Sequence, residues 1–453
     1  MYRQQQNVPR PSIAGVIERM DCRGCPLADK IFERQRRRGP TASTDMNTAP
    51  TAIRRSRPAA LFWRRHGPGA ALLATIWLWH LGASAMPANS APDAPQASTF
   101  ADGLESPWGM EFMPDGSLLV TERRGRLRMI SADGRDISSI QGIPRVDHRD
   151  HGGLLDVTID PAFASNRLVY LSYTKAGRGL HIDRNSLTVA RARLSDDGSR
   201  IDEFKVLFRQ TPGAVNGQNL GGRLAVSADG YLFITIGDRH APQDRMRAQA
   251  LAYYQGKTVR IRTDGTVPDD NPFAARHGAR PEIWSLGHRN PQGAFVHPRT
   301  GQLWIAEHGP QGGDEINVVR KGLNHGWPMV TFGCEYDTCA KIGEGTSRRG
   351  MEAPLAFWKT PKIAPSNLIL YTGDQFPAWK GNVFVGTLAG KAVWRFELAG
   401  EDNAPRVVRR EALFAELGER IRDLRQGPDG SLYLLTDGAK ARIVRVARAD
   451  SML

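Results

Sequence analysis

The sequence predicts an all-β protein folded as a six-bladed β-propeller, and three observations carry that expectation. Apolar and polar residues alternate with period two from residue 99 to the C-terminus, the pattern of half-buried strands. No stretch of similar length in that region carries the 3.6-residue period of a helix. Six strand–turn–strand units follow one another, with turns near residues 115, 161, 229, 300, 379 and 429. Intervals of roughly 45 to 80 residues suit blades that carry unequal loops.

The first unit, "WGMEFMPDGSLLVTERRGRLRMI" from Trp108, reads as strand, Pro-Asp-Gly turn, strand, glycine turn, strand. "LLDVTIDPAFASNRLVYLSYT" from Leu154, "GRLAVSADGYLFITIGD" from Gly222 and "GAFVHPRTGQLWIAEHG" from Gly293 repeat it. "FPAWKGNVFVGTLAGKAVWRFEL" from Phe376 and "RDLRQGPDGSLYLLTDGAKARIVRV" from Arg422 complete the series. No unit of about four short strands buries a core alone. Radial packing of six sheets gives each unit two neighbours and protects the sheet edges, which favours a propeller over a β-sandwich pair. Loops of a propeller gather at the ends of its axial channel, so residues from several blades are expected to meet there.

Ahead of these units the chain is basic and irregular. The 453 residues hold 61 Lys and Arg against 47 Asp and Glu, a net charge of +14 that would ordinarily point to nucleic acid or a membrane surface. Residues 1–98 contain 14 of the basic and 6 of the acidic residues, so a surplus of eight belongs to that leader. Nucleic acid is therefore not expected as a partner. Residues 1–45 read as an upstream extension whose Cys22 and Cys25 have no second pair. Residues 46–85 read as an export signal. Arg54, Arg55, Arg57, Arg64 and Arg65 precede the apolar stretch "AALLATIWLWHLGASA", which ends in a small-x-small cleavage pattern. That stretch is short for a membrane span, so no stable anchor is expected after its removal. Residues 86–98 form a Pro/Ala linker, and residues 99–453 the propeller, in a periplasmic or secreted location. Cys334 and Cys339 bracket "EYDT" and stand there either as a disulfide or as free thiols.

One loop suggests chemistry. "HGPQGGDEINVV", His308 to Val319, places glycine- and proline-rich backbone before two acids. It lacks the spacing of a nucleotide-phosphate loop. Bare carbonyls beside carboxylates suit a hard cation such as calcium, although a tight turn with solvated acids fits the same residues. "TDGTVPDDNPF" from Thr263 lacks the full ligand pattern of a calcium loop and reads as solvated.

"EIWSLGHRNPQG" from Glu282, "IAEHGPQGGDEIN" from Ile305, "HGWP" from His325, "GGLLDV" from Gly152 and "RIRDL" from Arg420 resemble the soluble quinoprotein sugar dehydrogenases. More narrowly, they resemble the aldose sugar dehydrogenase branch of the glucose/sorbosone dehydrogenase family. The resemblance implies a propeller that holds pyrroloquinoline quinone (PQQ) over calcium and oxidises aldose sugars to lactones by hydride transfer. It implies cofactor contacts from Arg289, Asn290, Tyr336, Thr387, Arg420 and Arg422. It also implies bridging calcium on the carbonyls of Gly309 and Pro310, and further calcium at Glu315 and His325, where His325 replaces a tyrosine.

Two departures fall where the chemistry belongs. Asn219 occupies the family's general-base histidine position, and an amide has no useful basicity. His151 stands where relatives carry glutamine, which makes it the expected base with Asn219 as its orienting partner. The family's cofactor lysine is replaced by Ala389, and Lys391, two residues along the same face, is the expected substitute. The alternatives are a calcium-binding propeller without redox function and a calcium-dependent lactonase. The sequence specifies neither the sugar nor the external electron acceptor, nor whether the protein is a monomer or a homodimer.

Overall fold

The computed structural model describes residues 94–449. The extension, the export signal and the Cys22/Cys25 pair lie outside the described residues. So does all of the linker except its last five residues, and Pro95 already begins a strand inside the range assigned to it.

The described chain is a six-bladed β-propeller of six four-stranded antiparallel sheets. The first strand of each blade is innermost: Pro107–Phe112, Leu154–Ile159, Gly221–Val226, Pro291–Val296, Pro365–Leu370 and Ile421–Gln426. These six strands contact one another around the ring. The turn expected in each unit connects the first and second strands of a blade. In blades 1 and 6 that turn is the same Pro-Asp-Gly-Ser sequence. Asp115 and Asp429 each accept the N–H of the serine two residues on at 3.0 Å, while Gly116 and Gly430 adopt φ of 84° and 77°. A side chain is disfavoured there, so glycine fixes the turn.

Ring closure is made by chain ends. Pro95–Leu104 pairs antiparallel with Ala441–Arg448 as the outer strand of blade 6, from Pro95 opposite Arg448 to Leu104 opposite Ala441. Ala101 and Leu104 then pack with Leu118 of blade 1 and Leu435 of blade 6 in one apolar cluster. The closing strand is thus held both by hydrogen bonds and by apolar burial.

Every innermost strand slips register against its neighbour near its N-terminal end, for example between Leu154 and Val157 and between Ile421 and Asp423. Such bulges re-aim side chains, and here they turn polar groups onto the axis. The result is a buried hub. Arg223 donates to Asp156 at 2.8 Å, to Asp423 at 3.1 Å and to the carbonyl of Gln292 at 2.9 Å. Asp423 also accepts the N–H of Met110 at 2.9 Å and the amide of Asn367 at 2.7 Å. All six blades contribute to this hub. Burial works against the charge on Asp423, yet Arg223 and Arg425 together hold its carboxyl below the usual range.

Replacing Arg223 with alanine leaves two buried carboxylates without their shared cation. We expect Arg223→Ala to lower unfolding free energy by about 3–5 kcal/mol at neutral pH. Denaturant unfolding measures this, and removing Asp156 in the same chain should recover part of the loss.

Candidate functional site

Above the hub, at the N-terminal end of the innermost strands, opens a cavity of about 470 Å³. Most of its lining comes from two kinds of segment, those just before the first strand and those just after the second strand of several blades. From the first kind come His151, Asn219, Arg289, Asn290, Lys362 and Arg420. From the second come Arg123, His240, His308, Gly309, Pro310 and Asp437. Five cationic side chains, Arg123, Arg289, Lys362, Arg420 and Arg422, face two carboxylates, Asp314 and Asp437, a surplus of three positive charges. The space therefore favours an anion.

Trp108 lies in the cavity wall against two guanidiniums, with Arg223 and Arg422 at 4.3 and 4.5 Å from its ring centre. Arg422 donates to Gln292 at 2.9 Å, and its buried Nε has no partner. Burial, then repulsion from Arg223, lowers its pKa to about 10, so it keeps its charge at neutral pH. Arg420 pairs with Asp437 at 2.7 Å at the rim. Arg289 donates to the carbonyls of His308 and Gly309 and to the Tyr336 hydroxyl at 3.3 Å. Cys334 and Cys339 form a disulfide across the loop that carries Tyr336.

Three imidazoles face the cavity, and their bonds distinguish them. His308 Nε2 donates to the carbonyl of Pro365 at 2.9 Å, leaving Nδ1 toward the Asn290 amide at 3.5 Å. His240 Nδ1 faces Arg289 at 3.4 Å, a contact in which the guanidinium is the donor. The His151 ring has no hydrogen bond; the residue is exposed, yet partial desolvation at the mouth, then Arg123, lowers its pKa from the ordinary value. Its lone pair is therefore free at neutral pH. The expected pairing of His151 with Asn219 is not formed. Asn219 donates instead to Asp238 at 2.9 Å, because that buried carboxylate accepts only and lies on its own blade. Trp327 and the His240 N–H complete the shell of Asp238 at 2.9 and 2.8 Å.

Thr387 and Lys391 stand apart from the cavity. The Thr387 hydroxyl turns to the carbonyl of Ala392 at 2.7 Å. Lys391 lines an adjoining surface depression, beyond the Arg420–Asp437 pair that borders both, with Asp102, Glu419 and Arg442, since the chain turns at Lys391 with φ of 48° and the strand parity assumed for it does not hold. Glu315 and His325 lie instead around a small space of about 10 Å³ with Glu307 and Gly309, room for about one water-sized sphere. His325 Nδ1 meets Asn317 at 3.3 Å, and its buried Nε2 has no partner. Burial, then Glu307, pushes the Glu315 carboxyl up to about 8. A divalent cation would relieve that repulsion. An imidazole nitrogen is nevertheless a poor calcium ligand, and among the described residues no group of three or more His, Cys, Asp or Glu is arranged to hold a metal ion.

Arg123, His240, Lys362 and the wall residue Trp108 were not recognisable from the motifs. Their common signal is position, within a few residues of the first or second strand of a blade, as in the conspicuous "EHGP" loop. Asp314 joins two of these segments. It accepts the Gly309 N–H at 3.0 Å and the N–H groups of Ile363 and Ala364 at 2.7 and 2.8 Å.

The described chain is thus a propeller whose axial mouth collects guanidiniums around an aromatic wall residue, an arrangement that favours an anion. The family profile for glucose/sorbosone dehydrogenase matches residues 104–445, and the chain belongs to that family. An aldose sugar dehydrogenase of Escherichia coli (strain K12) is 41% identical over 79% of this chain and 94% of its own. The apo structure of the soluble aldose sugar dehydrogenase from Escherichia coli superposes with a TM-score of 0.72 at 39% identity, covering 78% of this chain and 100% of that one. A PQQ-bound aldose sugar dehydrogenase from Streptomyces coelicolor gives a TM-score of 0.63 at 26% identity, covering 79% and 99%.

Asp314→Ala leaves three backbone donors without their acceptor. A loss of about 3 kcal/mol in stability is expected, with faster hydrogen exchange at Ile363 and Ala364 and unchanged exchange at Leu171 in blade 2.

Proposed function

We propose that the chain is an exported oxidoreductase that uses PQQ and calcium to oxidise aldose sugars to lactones. The observation that carries this reading is the surplus of three positive charges around Trp108, in a member of a family of sugar dehydrogenases. PQQ bears three carboxylates, and guanidinium forks match carboxylates in plane and charge. Arg422 lines the cavity and keeps its charge despite burial, which suits an anion site. When bound, the quinone supplies the two-electron acceptor for hydride from the sugar.

The protein's own residues do the rest. Arg289, Arg422 and Arg420 would hold and orient the anionic cofactor, with Asn290 and Tyr336 beside Arg289. His151 takes the proton from the sugar hydroxyl, since His240 and His308 already have ring nitrogens engaged. Asn219 cannot take a proton. With Nδ2 held by Asp238, its carbonyl oxygen is the amide atom left to meet a ligand. Calcium would sit on the carbonyls of Gly309 and Pro310. The Gly309 carbonyl accepts from Arg289, and an anion that drew the guanidinium away would leave that oxygen available to a cation. Calcium and PQQ should therefore favour each other's binding, by the same factor in each direction. Glu315 would add a carboxylate ligand for a further cation, with His325 beside it.

Among the described residues no helix is long and apolar enough to cross a membrane. The export signal and the periplasmic or secreted location rest on the leader's residue pattern.

Optical titration with PQQ, with and without calcium, tests the reading, together with reduction of an artificial acceptor by aldoses. His151→Ala should cut turnover by about 10²–10⁴ while leaving PQQ affinity near wild type. Full turnover in that variant would remove His151 from its role. Calcium-dependent stabilisation without any PQQ response would favour a binding module, and acid release from a lactone without quinone a lactonase.

The pH profile has a definite sign. Partial desolvation and Arg123 disfavour the His151 imidazolium, so activity should be lost as pH falls through a value below about 6.5. Arg123→Gln removes one of those influences and should move this acid limb upward in kcat/KM against pH.

A further inference from the structure

The family's cofactor lysine position is Ala389 in this chain, and the substitute expected from sequence, Lys391, lies outside the cavity. We infer that Lys362 supplies the missing ammonium, from the neighbouring loop, as a binding residue for the anionic cofactor. The inference rests on the PQQ reading above and deepens it.

Three observations carry it. Lys362 is the only lysine in the cavity wall among the described residues. Its loop lies directly against that of Ala389: the N–H groups of Ala389 and Gly390 both donate to the carbonyl of Ile363, at 3.0 and 2.9 Å, and that of Leu388 donates to Ala364 at 2.9 Å. A lysine on either loop therefore starts from the same side of the mouth. Finally, the ammonium has only a cation–π contact. Lys362 Nζ stands 5.3 Å from the centre of the Tyr336 ring, with no hydrogen bond or ion pair to any described residue. The backbone beneath it is fixed, because Asp314 holds the N–H groups of the next two residues. A flexible stem on a rigid base, with its charge unpaired by any carboxylate, suits a group that receives an anion.

The position has a counterpart elsewhere in the ring. Lys362 lies three residues before the first strand of blade 5, and His151 three before that of blade 2. Both face the one cavity.

The test is an equilibrium titration of PQQ, read by absorbance or by quenching of tryptophan fluorescence, in calcium-containing buffer. Lys362→Ala should weaken PQQ binding about tenfold. Lys391→Ala should bind as wild type, and adding Ala389→Lys to Lys362→Ala should restore most of the loss. Lys362 is exposed, so its variant should melt at the wild-type temperature without cofactor. Wild-type affinity in Lys362→Ala, or a loss confined to Lys391→Ala, overturns the inference and leaves the PQQ reading intact. Absence of PQQ binding by the wild type overturns both.

Discussion

The structure depends on one buried guanidinium. Arg223 sits on the propeller axis with no exposed surface and binds two carboxylates and a carbonyl from other blades. Apolar packing between blades is non-directional and tolerates small rotations. A charged hub with fixed hydrogen-bond directions does not, because any misplacement strands a buried charge. The hub thus sets how the six blades meet, and with it where the loop ends converge.

That constraint reaches the site through Trp108. One guanidinium below the cavity and one in its wall, Arg223 and Arg422, both pack on this ring. Their mutual repulsion contributes to lowering the Arg422 pKa, although its charge survives. The carboxylates of Asp156 and Asp423 balance Arg223, and Asp437 and Asp423 offset part of the repulsion on Arg422. The cavity is therefore electrostatically incomplete by itself, in contrast to the hub, whose charges are largely matched internally.

Polar groups around the mouth divide into engaged and available ones. Asn219 is bound to Asp238, while His151 across the opening keeps a ring without a hydrogen bond. Lys362 enters the cavity from the loop that lies against Ala389. A ring of loops makes such an arrangement physically inexpensive. Each blade offers equivalent points a few residues from its strands, and a long side chain from one of them reaches the same space as its neighbour. Chemistry at the mouth is thus set by the collection of side chains rather than by any fixed sequence position.

The fold was legible in the sequence because each blade repeats a local signal. Period-two alternation and Asp-Gly turns such as Asp115-Gly116 act over a few residues and need no distant partner. The guanidiniums of Arg289 and Arg422 and the bare carbonyls of Gly309 and Pro310 were legible for a similar reason, since they sit in continuous motifs. Other features were not. That Asn219 would bind Asp238 rather than His151, that Lys391 would face another depression, and that Lys362 and Arg123 would enter the cavity depend on how blades are rotated about the axis. Pairing the first strand with the last, 343 residues from Thr99 to Arg442, is likewise invisible locally. Alternation decides which residues become strands, whereas bulges and the charged hub decide which loop residues meet. Those are set by contacts between segments far apart in the chain, and only the assembled tertiary structure contains them.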